Sequence, residues 1–252
     1  MKTTTKIKTI SIILFALLAI QISFAQTRTV DVGTFDKVIV SPHVQVVFQQ
    51  GDSENVAIES SAVSEDKINI EVNGKTLRIY LDGARDVTKN EKTNENGYEQ
   101  RKSIYNGTVV KATVTYKKLE ELSLRGEEKI VCKSTLKGEK FNLTIYGASQ
   151  VYLNKVDLGY LKTIIYGESY LELKEGTLDR HKITAYGETK VNTLGVESKS
   201  AKIIAYGEGS YRLKVSDDLK ITAYGEATVA YEGNPKVNKG IIIGEATVQK
   251  IQ

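Results

Sequence analysis

The chain has 252 residues, of which 26% are charged and 40% hydrophobic, and its 35 basic residues slightly outnumber its 31 acidic residues. The single cysteine, Cys132, excludes an internal disulfide, so burial of apolar side chains must stabilise the fold. The two histidines lie far apart and no glycine-rich loop opens a helix, so the sequence provides no motif for a metal site or a cofactor, and we expect neither.

Residues 1–25 are typical of a secretory signal peptide. Three lysines precede an apolar stretch at 10–20, and Ser23-Phe24-Ala25 forms a small-x-small cleavage site. The apolar stretch is too short for a membrane-spanning helix. Without this segment 32 basic residues face 31 acidic ones, so no electrostatic case for nucleic-acid binding remains. We therefore expect an exported protein that is periplasmic, attached to the cell surface or secreted.

Residues 26–118 are predicted to form an irregular N-terminal β-strand and hairpin region that is continuous with the repeats after it. Short segments such as KVIV (37–40) and VQVVF (44–48) are rich in β-branched residues and alternate in character. Asn73-Gly74 predicts a β-hairpin, because this dipeptide accepts the positive φ angles of a tight turn.

Two other parts of this region show no strand pattern. The segment 83–107 is highly polar and lacks hydrophobic periodicity, so it is interpreted as a long surface loop. His43 follows Pro42 between two strands and is expected to face solvent in a bend.

Residues 119–252 repeat one short phrase, most often Tyr-Gly-Glu, at intervals of 18–21 residues. A fixed period near twenty is typical of a solenoid. Each repeat predicts a strand, a turn and a second strand, and glycine occupies the turn because one residue there needs a positive φ. We predict an all-β fold, a right-handed parallel β-helix of about seven regular coils. The predicted turn residues are Gly126, Gly147, Gly167, Gly187, Gly207, Gly225 and Gly244.

Alternate residues of the predicted strands form rows along the solenoid. Side chains two apart share one face of a strand, so the apolar positions, with Cys132 and His181 among them, are expected to point inward. Between them lie outward rows of alternating threonine and isoleucine, and of lysine. The predicted lysine row contains Lys162, Lys182, Lys202, Lys220 and Lys239.

The order of these phrases resembles the putative auto-transporter adhesin family with a head GIN domain. The resemblance rests on Thr34-Phe35-Asp36-Lys37-Val38, on the strand ending in Gln49-Gln50-Gly51, on the hairpin at 72–77 and on the spaced glycine turns. It covers about residues 28–248. The family implies a parallel β-helix without assigned catalytic residues and with a role in adhesion.

The most conspicuous surface feature is a predicted row of tyrosines. Equivalent positions of a solenoid stack, so these rings would line one outer edge, where stacked aromatics with polar tips suit flat sugars or a protein partner. The alternative is that each ring packs over the glycine of a neighbouring turn and stabilises the stacked coils. The residues concerned are Tyr146, Tyr166, Tyr186, Tyr206 and Tyr224. The glutamates that follow the glycines are expected to form a solvated row.

These observations predict a non-enzymatic, exported binding or adhesion-type module of the cell envelope or surface, with a polysaccharide or a surface protein as partner. No catalytic residue is predicted. A polysaccharide-cleaving β-helix enzyme and a purely structural spacer are the alternatives. The C-terminal coil ends without an evident capping element, and its open strand edge predicts self-association, with Lys250 as the residue that opposes it.

Overall fold

The computed structural model describes residues 27–95 and 98–252. The predicted signal peptide lies outside this range. Within it the chain is almost entirely β-strand, with one short 3₁₀ helix at Glu65–Lys67 and no helix that is long and apolar enough to cross a membrane. The strands are β1 (Arg28–Asp31), β2 (Lys37–Val40), β3 (Val44–Gln50), β4 (Asn55–Ser61), β5 (Ile68–Asn73), β6 (Thr76–Leu81), β7 (Asn90–Glu95), β8 (Tyr98–Ser103), β9 (Val110–Tyr116), β10 (Glu121–Gly126), β11 (Lys129–Gly147), β12 (Gln150–Tyr166), β13 (Tyr170–Tyr186), β14 (Thr189–Glu232) and β15 (Lys236–Lys250).

The repeats form a parallel β-solenoid, as predicted. Strands β10 to β15 pair in parallel, each with the next, and identical repeat positions lie opposite one another, as Tyr146, Tyr166 and Tyr186 do. All seven predicted turn glycines have positive φ values, between 103° and 125°. The sequence period therefore equals one coil of the solenoid.

The N-terminal strands extend the same architecture. β2 pairs in parallel with both β10 and β6, while β3 pairs in parallel with β11 and β9. At the N-terminal edge the pairing changes from parallel to antiparallel. β5 pairs antiparallel with β6, and β4 pairs antiparallel with β1 and β9. The turn at Asn73-Gly74 joins β5 and β6 as predicted, with Gly74 at φ 60°.

The core is a continuous column of inward side chains inside the coils. One inward row consists of Phe141, Leu161, His181 and Ala201, paired in register and each at most 4% exposed. Cys132 is also fully buried, as its inward position predicted, and burial raises the pKa of its thiol to about 11. This thiol is therefore neutral at physiological pH and packs as a small apolar group.

Small polar side chains close the corners after the turn glycines. Ser149 donates a hydrogen bond to the Gly126 carbonyl oxygen at 2.9 Å, and Ser169 donates the same bond to Gly147 one coil later, at 3.0 Å. Both serines are at most 3% exposed. Each bond links one coil to the previous one, so the corners add to the cohesion of the stack.

The polar segment 83–107 differs from the predicted loop. Strands β7 and β8 pair as a two-stranded antiparallel sheet within it. The described side chains of these strands are mostly exposed, so no buried face produces the alternation by which a strand is recognised.

His43 also differs from the expectation of a solvent-facing bend residue. It is half-buried, has a φ of 70°, and uses both ring nitrogens. Nδ1 donates to the Gly107 carbonyl oxygen at 2.7 Å, so in the neutral ring Nε2 accepts from the Thr88 hydroxyl at 2.6 Å. His43 thus attaches both ends of the polar segment to the solenoid.

The last coil departs from the regular register. A β-bulge between Ile221 and Ala223 shifts β15, so that Lys239 pairs with the buried Ile221 and Asn238 pairs with Lys220. The prediction that Lys239 belongs to the outward lysine row is therefore wrong. A bulge and a charge at an inward position both oppose edge-to-edge pairing, so Lys250 is not alone in this role.

Candidate functional site: a tyrosine ladder

The tyrosine row exists, and its rings are stacked face to face. We define the tyrosine ladder as Tyr146, Tyr166, Tyr186, Tyr206 and Tyr224. Successive ring centroids are 5.0, 4.9, 4.8 and 4.9 Å apart, and the ring planes deviate by 4–5° from parallel. These separations match the spacing of neighbouring β-strands. The ladder is therefore a direct product of the in-register parallel pairing.

The stacking determines which part of each ring is accessible. The first four rings are 37–40% exposed, although both faces of each inner ring are covered by its neighbours. The ring edges and the hydroxyls remain. Among the described residues no hydrogen-bond partner is found for these five hydroxyls. The rings thus pack on one another, and the inner rings offer no free face to a flat sugar.

Two further rows lie beside the ladder on the same outer surface. Thr144, Ile164, Thr184 and Ile204 are paired in register and half-buried. Beyond them Lys162, Lys182 and Lys202 are also in register, and Lys220 has the same place before Tyr224. The surface is therefore striped along the solenoid axis with lysine, threonine or isoleucine, and tyrosine.

An arginine occupies the tyrosine position of the first coil. The Arg125 guanidinium lies 5.4 Å from the Tyr146 ring centroid and covers that end of the ladder. Asp86 binds Arg125 at 2.7 Å and Arg78 at 2.6 Å. The hydrogen bond from Arg78 is the main cause that holds the pKa of Asp86 below its usual value. At the opposite end Ile243 follows Tyr224 in register and is 61% exposed.

A cleft of about 460 Å³ opens beside Arg125 and Tyr146, and it contains the titratable groups that an active site would require. Its lining includes His43, Asp86 and Glu128. Burial raises the pKa of Glu128, whose carboxylate accepts a hydrogen bond from the Glu127 amide at 2.9 Å. His43 and Asp86 are already bound to protein groups, as described above. The three side chains therefore hold the surrounding loops together.

Sequence reasoning did not identify this end of the ladder. Asp86 lies in a polar segment without periodicity, and Arg125 interrupts the tyrosine pattern instead of continuing it. The one available signal was that the first repeat reads LRGE, with arginine where the next five repeats have tyrosine before the glycine.

The glutamates that follow the turn glycines are exposed, and Glu226 pairs with Glu245 in register. The described residues contain no cluster of three or more histidine, cysteine, aspartate or glutamate side chains that could hold a metal ion. One carboxylate per coil on an open edge provides fewer oxygens than calcium requires.

Solved structures of other proteins have a fold similar to that of this chain. A putative adhesin from Bacteroides fragilis NCTC 9343 has a similar structure, with a TM-score of 0.75 at 17% identity, covering 89% of this chain and 96% of that one. A putative lipid binding protein from Parabacteroides distasonis ATCC 8503 has a TM-score of 0.65 at 19% identity, covering 90% of this chain and 96% of that one. No curated protein matches the sequence.

The structural likeness at such low identity supports the fold alone. The sequence itself supplies the family, because residues 34–235 match the family described as "Putative auto-transporter adhesin, head GIN domain". This match spans the strands from β2 to β14 and six of the seven turn glycines. The chain therefore belongs to the head GIN domain family of putative auto-transporter adhesins.

Proposed function

We propose that the mature chain is an exported, non-enzymatic binding module of the adhesion type, and that the tyrosine ladder is its contact surface. Membership of a family of putative adhesins supports the general role. The chemistry of the ladder supports the choice of surface, since tyrosine edges combine apolar contact with hydrogen bonding.

The observation that carries this proposal is the row of hydroxyls along the ladder. The five rings that carry these hydroxyls have centroids 4.8–5.0 Å apart and lie nearly parallel, and none of the hydroxyls has a partner among the residues described. The rings are held in place by their neighbours, so little side-chain entropy is lost when a ligand binds. A regular and rigid row of this kind suits an extended polymer, such as a polysaccharide chain or a strand of a surface protein.

The absence of catalysis is proposed from the state of the groups in the cleft. A glycosidase needs two carboxylates placed on either side of the bond to be cleaved. Asp86 forms ion pairs with two arginines, which keep it ionised and occupied, so it is not a second free carboxylate facing Glu128 in this cleft.

The decisive experiment removes the hydroxyls and keeps the rings. The triple variant Tyr166→Phe, Tyr186→Phe and Tyr206→Phe should fold with its stack intact and lose most binding to immobilised cell-surface polysaccharides or surface proteins. The matched control changes Tyr152, Tyr160 and Tyr170, which lie outside the ladder, to phenylalanine. Lipid vesicles belong in the panel, since a similar structure is described as a putative lipid binding protein.

The outcomes distinguish three hypotheses: a binding module, an enzyme and a structural spacer. Loss of binding in the ladder variant, with the control variant unchanged, supports the ladder as the contact surface. Equal binding by both variants and the wild type would contradict it. Release of new reducing ends from a bound polysaccharide would favour an enzyme, and a complete lack of binding would favour a structural spacer.

A further inference from the structure

The lysine row beside the ladder adds a second chemistry to the same surface. We define the lysine row as Lys162, Lys182, Lys202 and Lys220, each four residues before a ladder tyrosine. Asn142 pairs with Lys162 at one end of the row, and Asn238 pairs with Lys220 at the other. Four consecutive coils therefore carry both a lysine and a tyrosine, with an uncharged residue beyond each end.

These lysines form no ion pairs within the fold. Nine ion pairs are found among the described residues, and none includes a member of the lysine row. Lys155, Lys199 and Lys214, on other faces of the solenoid, do pair with carboxylates. Four positive charges without a carboxylate partner thus lie in line on the face that also carries the ladder.

The spacing makes the four charges act together. Neighbouring strands are about 4.8 Å apart, which is shorter than the screening length of about 8 Å at physiological ionic strength. The mature chain as a whole has 32 basic and 31 acidic residues, a net charge of +1, so this row of four positive charges is a local feature and not a consequence of net charge. An anion with repeated charges would relieve the repulsion between neighbouring ammonium groups.

The two rows define the width and direction of the ligand. Each tyrosine lies four positions after its lysine on the strand, which corresponds to about 13 Å across the face. The half-buried threonines and isoleucines lie between them and provide a shallow, mixed surface. The large side chains that protrude most, Val87, Ile241 and Ile243, lie outside these four coils, so nothing aliphatic projects there for insertion into a lipid layer.

We infer that this face binds a linear, acidic polysaccharide that runs parallel to the solenoid axis. Its carboxylate or sulfate groups contact the lysine row, its rings lie over the threonine and isoleucine row, and its hydroxyls hydrogen-bond to the tyrosine hydroxyls. The inference rests on the proposed function and specifies the ligand class of the same surface.

The test compares polygalacturonate with its fully methyl-esterified form, which has the same backbone and no charge. The wild-type protein is expected to bind polygalacturonate more tightly, and added salt should weaken that binding. Lys182→Gln with Lys202→Gln should reduce the affinity about tenfold, because two charge-assisted contacts are lost. The control is Lys174→Gln with Lys190→Gln, which removes the same charge from unpaired lysines on another face and should change the affinity less than about twofold.

Several results would overturn the inference. One is equal binding of the charged and esterified polymers, and another is an equal effect of the two lysine variants. Tighter binding to phosphatidylglycerol vesicles than to polygalacturonate would indicate a membrane surface instead. Tyrosine-dependent binding of a neutral polymer or a protein, without lysine dependence, would refute the acidic ligand and leave the proposed function intact. Failure of every probe to depend on the tyrosines would refute both.

Discussion

Replacement of Gly167 by alanine tests the turn that generates the ladder. Gly167 has a φ of 111°, which side chains with a Cβ rarely adopt. An alanine Cβ would also lie 3.1 Å from the Gly147 carbonyl carbon and closer still to its oxygen. Both atoms belong to the backbone of the previous coil, so the two coils would have to separate.

The two effects can be estimated separately. A residue held in such a backbone conformation costs about 1–3 kcal/mol, and forcing an extra methyl group into a packed site costs about 1–3 kcal/mol more. The sum is about 2–6 kcal/mol for Gly167→Ala. Gly187 has a similar φ of 105°, but its added Cβ would lie 3.0 Å from the Gly167 oxygen and 3.3 Å from the carbon. Gly187→Ala should therefore cost less.

Thermal unfolding measures these differences. For a chain of this size each kcal/mol corresponds to roughly 2–4 °C in Tm, so Gly167→Ala should lower the Tm by roughly 4–24 °C. Gly33→Ala is the control, because Gly33 has no positive φ and its nearest contact would be an ordinary 3.8 Å from Val72. If Gly167→Ala and Gly33→Ala melted at the same temperature, the assignment of glycine to a sterically closed turn would be refuted.

Three further predictions concern other parts of the coils. Burial lowers the pKa of His181 to about 3, so at pH 5 the unfolded chain binds a proton on this histidine and the folded chain does not. The free energy of unfolding should therefore be about 2 kcal/mol lower at pH 5 than well above pH 6.5. Urea titrations of His181→Leu should not show this loss. Tyr186→Ala should cost about 1–3 kcal/mol from two lost stacking contacts, whereas Tyr186→Phe should leave the Tm unchanged. Lys239→Ile removes the charge opposite Ile221 and should increase self-association in light scattering; an unchanged particle mass would contradict the protective role.

The sequence was sufficient to predict the solenoid because the same pattern of residues recurs from coil to coil. A turn glycine and alternating apolar residues appear at each period, and a tyrosine precedes the glycine in five successive coils, so the same pattern occurs several times in the sequence. The same redundancy explains why the inward positions of Cys132 and His181 were predicted correctly.

The remaining features occur only once, and each depends on contacts between distant parts of the chain. His43 bonds to Gly107 and Thr88, far along the sequence, and nothing in its local context indicates these partners. Lys239 follows the lysine spacing in the sequence, but the bulge in the last coil moves it to the inward register. A period counted from glycines cannot detect an extra residue that the partner strand leaves unpaired.

Because equivalent side chains stack in register, a residue type can recur for the stability of the fold alone, and its recurrence is then no evidence of binding. A tyrosine on the ladder contributes to stability through its neighbours at 4.8–5.0 Å, so its recurrence in five successive coils is explained by folding with or without a ligand. The lysine row has no such explanation. Its members form no ion pairs within the described chain, and like charges one strand apart repel each other, so stacking gives the fold no benefit from them. Binding is thus better tested at Lys182 and Lys202 than at the tyrosines beside them.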